Sequence, residues 1–344
     1  MDQGARCAFG FRAVAVNSND RFRLLSPTDL DALPDPTWLI DGILPANAFC
    51  VLYGEPGSGK TFVGLSVALS IAAGKSWCGK ITRSGSVLYI AAEGLFGLKT
   101  RVAAFQKRHS LVATKIQYLG STFNLLNQGD IEGLIASLCS SGFKPDLVIL
   151  DTLARLMAGA DENSAKEMGA AIHAIDQLRS EFQASALVVH HTGKAGPRER
   201  GSSALRGAAD AMLLLKGKPD SGIVSLECDK MKDAEPFQKF SLGLEKIRVG
   251  SLSSMAIGDW KEAIAGTVRS VHCESALSIL HEQFGNAGAT NSEWLKAWIT
   301  ATGHAPKTFN RTLTELKETG VLTQCQKRYF IKSSVPVSLS KGVK

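Results

Sequence analysis

The 344-residue sequence contains no uncharged apolar run long enough to cross a bilayer. Its longest, Thr61 to Gly74, is 14 residues, short of the ~18–20 that a spanning helix needs, so no transmembrane helix and no membrane partner are expected. Met1 to Val16 carries Arg6 and Arg12 without an unbroken apolar core, so a secretory leader is not expected and the chain is read as cytoplasmic. The seven cysteines (Cys7, Cys50, Cys78, Cys139, Cys228, Cys273 and Cys325) include no CxxC pair. That scatter argues against a disulfide framework or a zinc knuckle and predicts buried, reduced thiols. Internal repeats and low-complexity blocks are also missing, which removes solenoid and fibrous classes. With 44% hydrophobic and 21% charged residues, wholesale disorder is excluded. The net charge of +7 is small enough to permit nucleic-acid binding through a local patch without requiring it.

The length suggests one large domain and a smaller one. Residues 1–36 read as an N-terminal extension: Met1 to Asp20 lacks periodicity, and Leu24 to Pro36 mixes prolines and aspartates as a loop would. From 37 to 250, apolar strands alternate with helices. Phe49 to Tyr53 precedes a helix at Thr61 to Ala73, Ser86 to Ala91 precedes Leu98 to His109, and Leu147 to Leu150 precedes Ala165 to Phe182. Ala186 to Val189, Ala211 to Leu215 and Gly222 to Glu227 complete the strands. This alternation predicts an α/β fold with a mostly parallel sheet covered on both faces and an antiparallel extension at one edge. Residues 251–266, rich in Ser and Gly, read as a linker. Within 267–332, helices at Glu274 to Phe284, Ser292 to Thr300 and Lys307 to Thr319 precede a hairpin of Val321 to Thr323 and Tyr329 to Ile331, the pattern of a winged helix-turn-helix. Residues 333–344 are read as a tail.

Gly54-Glu55-Pro56-Gly57-Ser58-Gly59-Lys60-Thr61 fits GxxxxGK[ST] between an apolar strand and a helix. Glycines there let backbone N–H groups close around phosphates, Lys60 reaches the outer phosphates, and Thr61 offers a hydroxyl to magnesium. ATP and Mg2+ are the ligands expected. Asp151 ends the strand Leu147 to Leu150 and is expected at the metal, with a helix N-cap as the alternative. Glu93 follows another apolar strand, where a carboxylate can polarise the attacking water. His190 and His191 terminate a further strand and point to opposite faces, so one of them can face the nucleotide.

The set GEPGSGKT, SVLYIAAEG, LVILDTLARL, ALVVHHTGK and RGSSALRGAADAML resembles the RecA-like ATPases of the plasmid RepA helicase type, over about Trp38 to Phe240. The resemblance implies a hexameric ring that hydrolyses ATP between subunits and translocates on single-stranded DNA in plasmid, phage or mobile-element replication. It also implies that Glu93 is the catalytic glutamate, Asp151 the second acidic motif, and His190 or His191 the phosphate sensor. The chain departs from many such relatives at Gly94, where they carry an acid. Lys194, Arg198 and Arg200 fall in a charged segment resembling a DNA-gripping loop, and Arg206, Lys230 and Lys232 are candidates to reach a neighbour's γ-phosphate. The last 78 residues hold ten Lys or Arg and five Glu, a net +5, so most of the excess charge lies there. Lys307 and Arg311 open the third tail helix as a recognition helix would, although such modules also dock replication proteins. Trp294 and Trp298, at i and i+4, read as core. Two functions follow from these readings: a ring-forming DNA helicase or translocase, or an ATP-gated regulator that binds duplex DNA.

Overall fold

A computed structural model describes residues 26–32, 35–92, 95–120, 123–192, 201–262, 271–318 and 321–331. The chain divides into two compact units, Met1–Pro36 and Thr37–Lys344. In the first unit, helix α1 (Pro27–Asp31) occupies a stretch expected to be loop. Its prolines and aspartates act as a helix start. Pro27 takes the first helical position, Ser26 Oγ accepts from Asp29 N (3.2 Å), and the Asp29 carboxylate accepts from Ser26 N (2.9 Å).

The second unit opens with a small antiparallel pair, β1 (Trp38–Ile40) and β2 (Leu44–Pro45). A large sheet then assembles from β3 (Phe49–Gly54), β4 (Val87–Ala91), β5 (Ile116–Leu119), β6 (Leu147–Asp151), β7 (Ser185–His191), β8 (Ala211–Lys218), β9 (Ile223–Met231), β10 (Phe240–Val249) and β11 (Leu252–Glu262). Among the described residues its order is β11-β10-β9-β8-β3-β7-β6-β4-β5. From β8 to β5 every pairing is parallel, whereas β9, β10 and β11 extend the sheet antiparallel. The α/β class with a mostly parallel sheet is therefore the one the alternation predicted.

The helices of this region are α2 (Lys60–Ala73), α3 (Leu95–His109), α4 (Gln128–Ser141), α5 (Leu153–Leu156), α6 (Ala165–Phe182) and α7 (Ala204–Ala208). Strand residues alternate strictly between two cores. Cys50, Leu52, Tyr89, Ile149 and Val189 join α2 and α3 on one face. Val51, Tyr53, Ile90, Leu150 and Val188 join α4, α5, α6 and α7 on the other. Helix α2 lacks a polar face because β11 packs against it as well as the sheet does, and Val63 to Ala72 are buried throughout.

The segment expected to be a linker is instead largely β11, which pairs with β10 from Val249↔Leu252 to Phe240↔Glu262 across a turn at Gly250 (φ 59°). Its Ser and Gly residues hide the strand pattern, but Ala256 and Ile257 are buried against the α2 and α3 face. Helix α4 and strand β5 were not anticipated either. Helix α4 contains two glycines and three serines and buries only Ile131, Leu134 and Leu138. The cysteine expectation needs correction too: Cys50 and Cys273 are buried, but Cys139 and Cys325 are exposed.

The C-terminal part comprises α8 (Val271–Phe284), β12 (Ala289–Thr290), α9 (Asn291–Thr302), α10 (Pro306–Glu318), β13 (Leu322–Cys325) and β14 (Arg328–Ile331). Its three strands pair in the order β12-β14-β13, one strand more than the expected hairpin. A third core holds it together. Trp294 and Trp298 are fully buried, Trp294 donates from its indole N–H to Ala276 O (2.9 Å), and its ring meets Phe309 edge-on at 5.4 Å.

Helix α3 is tied to the antiparallel edge by Arg108, which forks onto Glu245 of β10 (2.7 and 2.8 Å) and reaches Asp259 of β11 (3.1 Å). The guanidinium hydrogen bonds hold the Glu245 carboxyl below its usual value of 4.5. A depressed carboxylate contributes stability that is full above its unfolded value and disappears as pH falls through the folded one. Because the pair is partly solvated, Arg108→Ala should cost up to about 1 kcal/mol. Urea melts of wild type and variant should differ at pH 7, and the difference should shrink as pH falls toward 3.

Candidate functional site

Strand β3 ends in the GxxxxGK[ST] loop, and backbone geometry accounts for its glycines. A Cβ on Gly54 would stand 2.4 Å from the Leu215 carbonyl oxygen of β8, so only glycine lets the two strands pair this closely. Gly57 (φ 76°) and Gly59 (φ 94°) turn the chain through left-handed conformations into α2. Ser58 N donates to Glu55 O (3.1 Å), and Thr192 N donates to Gly54 O (3.0 Å), which ties the exit of β7 to the loop. The Lys60 side chain is only 5% exposed and folds back over the loop, donating to Gly54 O (3.0 Å) and Glu55 O (2.8 Å). The N-cap of α2 is Gly59, which has no side chain, so the backbone at the helix start is open to close approach by an anion.

Next to this loop lies a cavity of about 210 Å3. Gly57, Gly59, Lys60 and Thr61 form one wall, and Thr152 and His191, from the ends of β6 and β7, form another. Phe62, Arg101 and Pro219 complete it. Strand parity separates the two histidines. His191 shares the α2 face with Leu187 and Val189 and lines the cavity, whereas His190 is fully buried in register with Ala186 and Val188 of the other core.

Asp151 follows Leu147 and Ile149 onto the α2 face and is 4% exposed. It accepts a hydrogen bond from the Tyr89 hydroxyl at 2.6 Å. Burial, reinforced by the Asp151 charge, pushes the Tyr89 phenol well above its usual range, so the phenol stays a proton donor to the carboxylate. The N-cap of α5 is Thr152 rather than Asp151. The hydroxyl of Thr61 and the carboxylate of Asp151 make an oxygen-only donor set of the kind a magnesium–nucleotide complex uses, so these residues fit the expected ligands.

The remaining expected site residues are distributed elsewhere. Glu93, Lys194, Arg198 and Arg200 lie outside the described residues. Arg206, on α7, is ion-paired with Asp229, which also accepts from the Tyr53 hydroxyl. Lys230 donates to the carbonyls of Arg206 and Ala209 at the C-terminal end of α7, a structural position. Lys232 is 61% exposed, with its ammonium 3.6 Å from Asp210. None of these three lines the cavity of its own chain. Lys307 and Arg311 are exposed one turn apart on α10. Phe62, Arg101, Thr152 and Pro219 were missed. Arg101 sits in an ordinary amphipathic helix, and Pro219 in a hairpin turn that folding brings within 3.1 Å of a Cβ placed on Gly59.

Gly54→Ala should cost at least 1–3 kcal/mol, because the methyl meets backbone rather than a movable side chain. Gly133→Ala, in the interior of α4 with open space around it, should instead be neutral or stabilise by about 0.5–1 kcal/mol. Thermal melts of the two variants provide the test.

Comparison with solved structures finds similarity to the crystal structure of the RadB recombinase, at 15% identity over 58% of this chain and 88% of that one, with a TM-score of 0.44. A KaiC-like protein from the hyperthermophilic archaeon Pyrococcus horikoshii is similar at 13% identity over 64% and 93% of the two chains, with a TM-score of 0.41. Likenesses this distant do not bear on function. No curated protein sequence matches the chain. Residues 18–197, just over half the sequence, match the AAA domain family. That span contains the phosphate loop, Asp151 and both strand-end histidines, and on this match the chain belongs to the AAA domain family.

Proposed function

We propose that the protein is a RecA-like P-loop ATPase of the plasmid RepA helicase type, which hydrolyses ATP and moves on single-stranded DNA in the replication of a plasmid, phage or other mobile element. The observation that carries this reading is the meeting of Lys60, Thr61, Thr152 and His191 around one cavity at the C-terminal ends of parallel strands, with Asp151 buried beside it. In this reading Lys60 neutralises the outer phosphates and the backbone of 57–61 holds the β-phosphate. Thr61 and Asp151 would hold Mg2+, which when bound supplies charge neutralisation between the phosphates. Tyr89 orients the Asp151 carboxylate through its hydrogen bond. Glu93 takes the proton of the attacking water, and His191, rather than His190, reads the γ-phosphate.

A ring of six subunits places a neighbour's cation at each site. Lys232 is the best placed of the three candidates, since it is the most exposed and its own ion pair with Asp210 is long (3.6 Å), whereas Arg206 and Lys230 make short contacts within their own chain. DNA follows the segment carrying Lys194, Arg198 and Arg200 through phosphate contacts. The C-terminal part, ordered α8-β12-α9-α10-β13-β14, is a winged helix-turn-helix, with α10 as recognition helix and the β13–β14 hairpin as wing. The alternative, an ATP-gated regulator on duplex DNA, draws on the exposed Lys307 and Arg311; a replication protein is the other partner this module could take.

ATP turnover should rise when single-stranded DNA is added, and Lys60→Ala should abolish both basal and stimulated rates while leaving the far-UV spectrum unchanged. Tight, sequence-dependent duplex binding with no stimulation by single strands would favour the regulator.

In the double variant Lys307→Ala/Arg311→Ala, the slope of log affinity against log salt for duplex DNA should fall by up to about two, since each phosphate contact releases nearly one counterion. Basal ATPase should be retained. An unchanged slope would make the module a protein-docking unit.

A further inference from the structure

Arg101 stands out among the cavity-lining residues. It projects from α3 into the same cavity as Lys60, Thr61 and His191, and its guanidinium lies 5.5 Å from the centre of the Phe62 ring. It is half-buried, yet among the described residues it makes no hydrogen bond and no ion pair. Three other arginines that pack near the sheet are committed: Arg108 to Glu245 and Asp259, Arg179 to Asp176, Arg206 to Asp229. A half-buried guanidinium whose fork of N–H donors faces a cavity, held by an aromatic ring instead of an acid, is arranged to receive an anion from solution.

We propose that Arg101 is a second cation of the nucleotide site, contributed by the same chain, and that it binds a phosphate of the nucleotide opposite Lys60. The inference rests on the P-loop reading above and adds a ligand contact that the GxxxxGK[ST] pattern does not contain. Phe62 follows Thr61 in α2 and keeps the planar guanidinium oriented while the phosphate is absent. Arg101 also lies within electrostatic reach of the Tyr89–Asp151 pair, so its charge offsets that of Asp151 where a polyphosphate must enter.

The test is titration calorimetry of ATP and of ADP, with magnesium, into the full-length wild type, Lys60→Ala, Arg101→Ala and Arg101→Lys, with the melting temperature of each nucleotide-free protein. Loss of a charge-assisted, forked contact should weaken nucleotide binding by about ten- to a hundredfold in Arg101→Ala. Arg101→Lys, which keeps the charge but not the fork, should fall between, and the nucleotide-free melting temperatures should stay close to wild type. Wild-type affinity in Arg101→Ala, with Lys60→Ala impaired, would overturn the role of Arg101 and leave the P-loop reading standing. A lowered melting temperature with unchanged affinity would overturn it likewise and assign Arg101 to packing on Phe62. No binding by wild type would remove the P-loop reading itself, and this inference with it.

Discussion

Every central strand of the sheet is buried on both faces, and its period of two decides which layer the last side chain joins. That constraint organises the site. Tyr89, Asp151 and His191 end on the face of α2, where the phosphate loop lies, whereas Tyr53 and His190 end on the face of α4 to α7. A shift of one residue in the register of β7 would exchange the histidines and leave the cavity without its imidazole. The register is secured at the strand ends, where Gly54 pairs between β7 and β8 and its carbonyl accepts from Thr192 N.

The distribution of charge around this frame explains which basic residues remain available for binding. Lys60 is held by two loop carbonyls that a phosphate can replace as partners, while Lys230 completes the C-terminal end of α7 and Arg206 neutralises Asp229. Tyr53 joins that last pair from the residue just before the phosphate loop, so α7 and the loop share one partly exposed polar cluster. The hydroxyl of Tyr53 is pushed above its usual range by burial and by Asp229, which keeps it a donor. The availability of a basic residue thus depends on the acid or carbonyl that folding puts beside it, and among the described residues lining the cavity Arg101 has no hydrogen-bonded acid or carbonyl of its own.

The C-terminal part has a core of its own, built on Trp294, Trp298 and Phe309 and bounded by the capping box of Thr290 and Glu293. Its exposed cations on α10 lie opposite the buried Phe309, the division expected of a short amphipathic helix that packs on one side and faces solvent on the other.

The phosphate loop, the apolar strands that precede Asp151 and His190, and the tail helices were legible in the sequence, because each is a local pattern: glycines at fixed spacing, apolar runs ending in polar residues, a helical stripe with two tryptophans. The helix at Pro27 and the strand at Leu252 were not, since capping and hairpin pairing outweighed the loop-like composition of both. Which histidine meets the cavity, and which of the many arginines lines it, could be decided only by the tertiary structure. Strand order and helix packing bring together Lys60, Arg101, Thr152, His191 and Pro219, residues from five separate stretches of chain whose common neighbourhood no local spacing encodes.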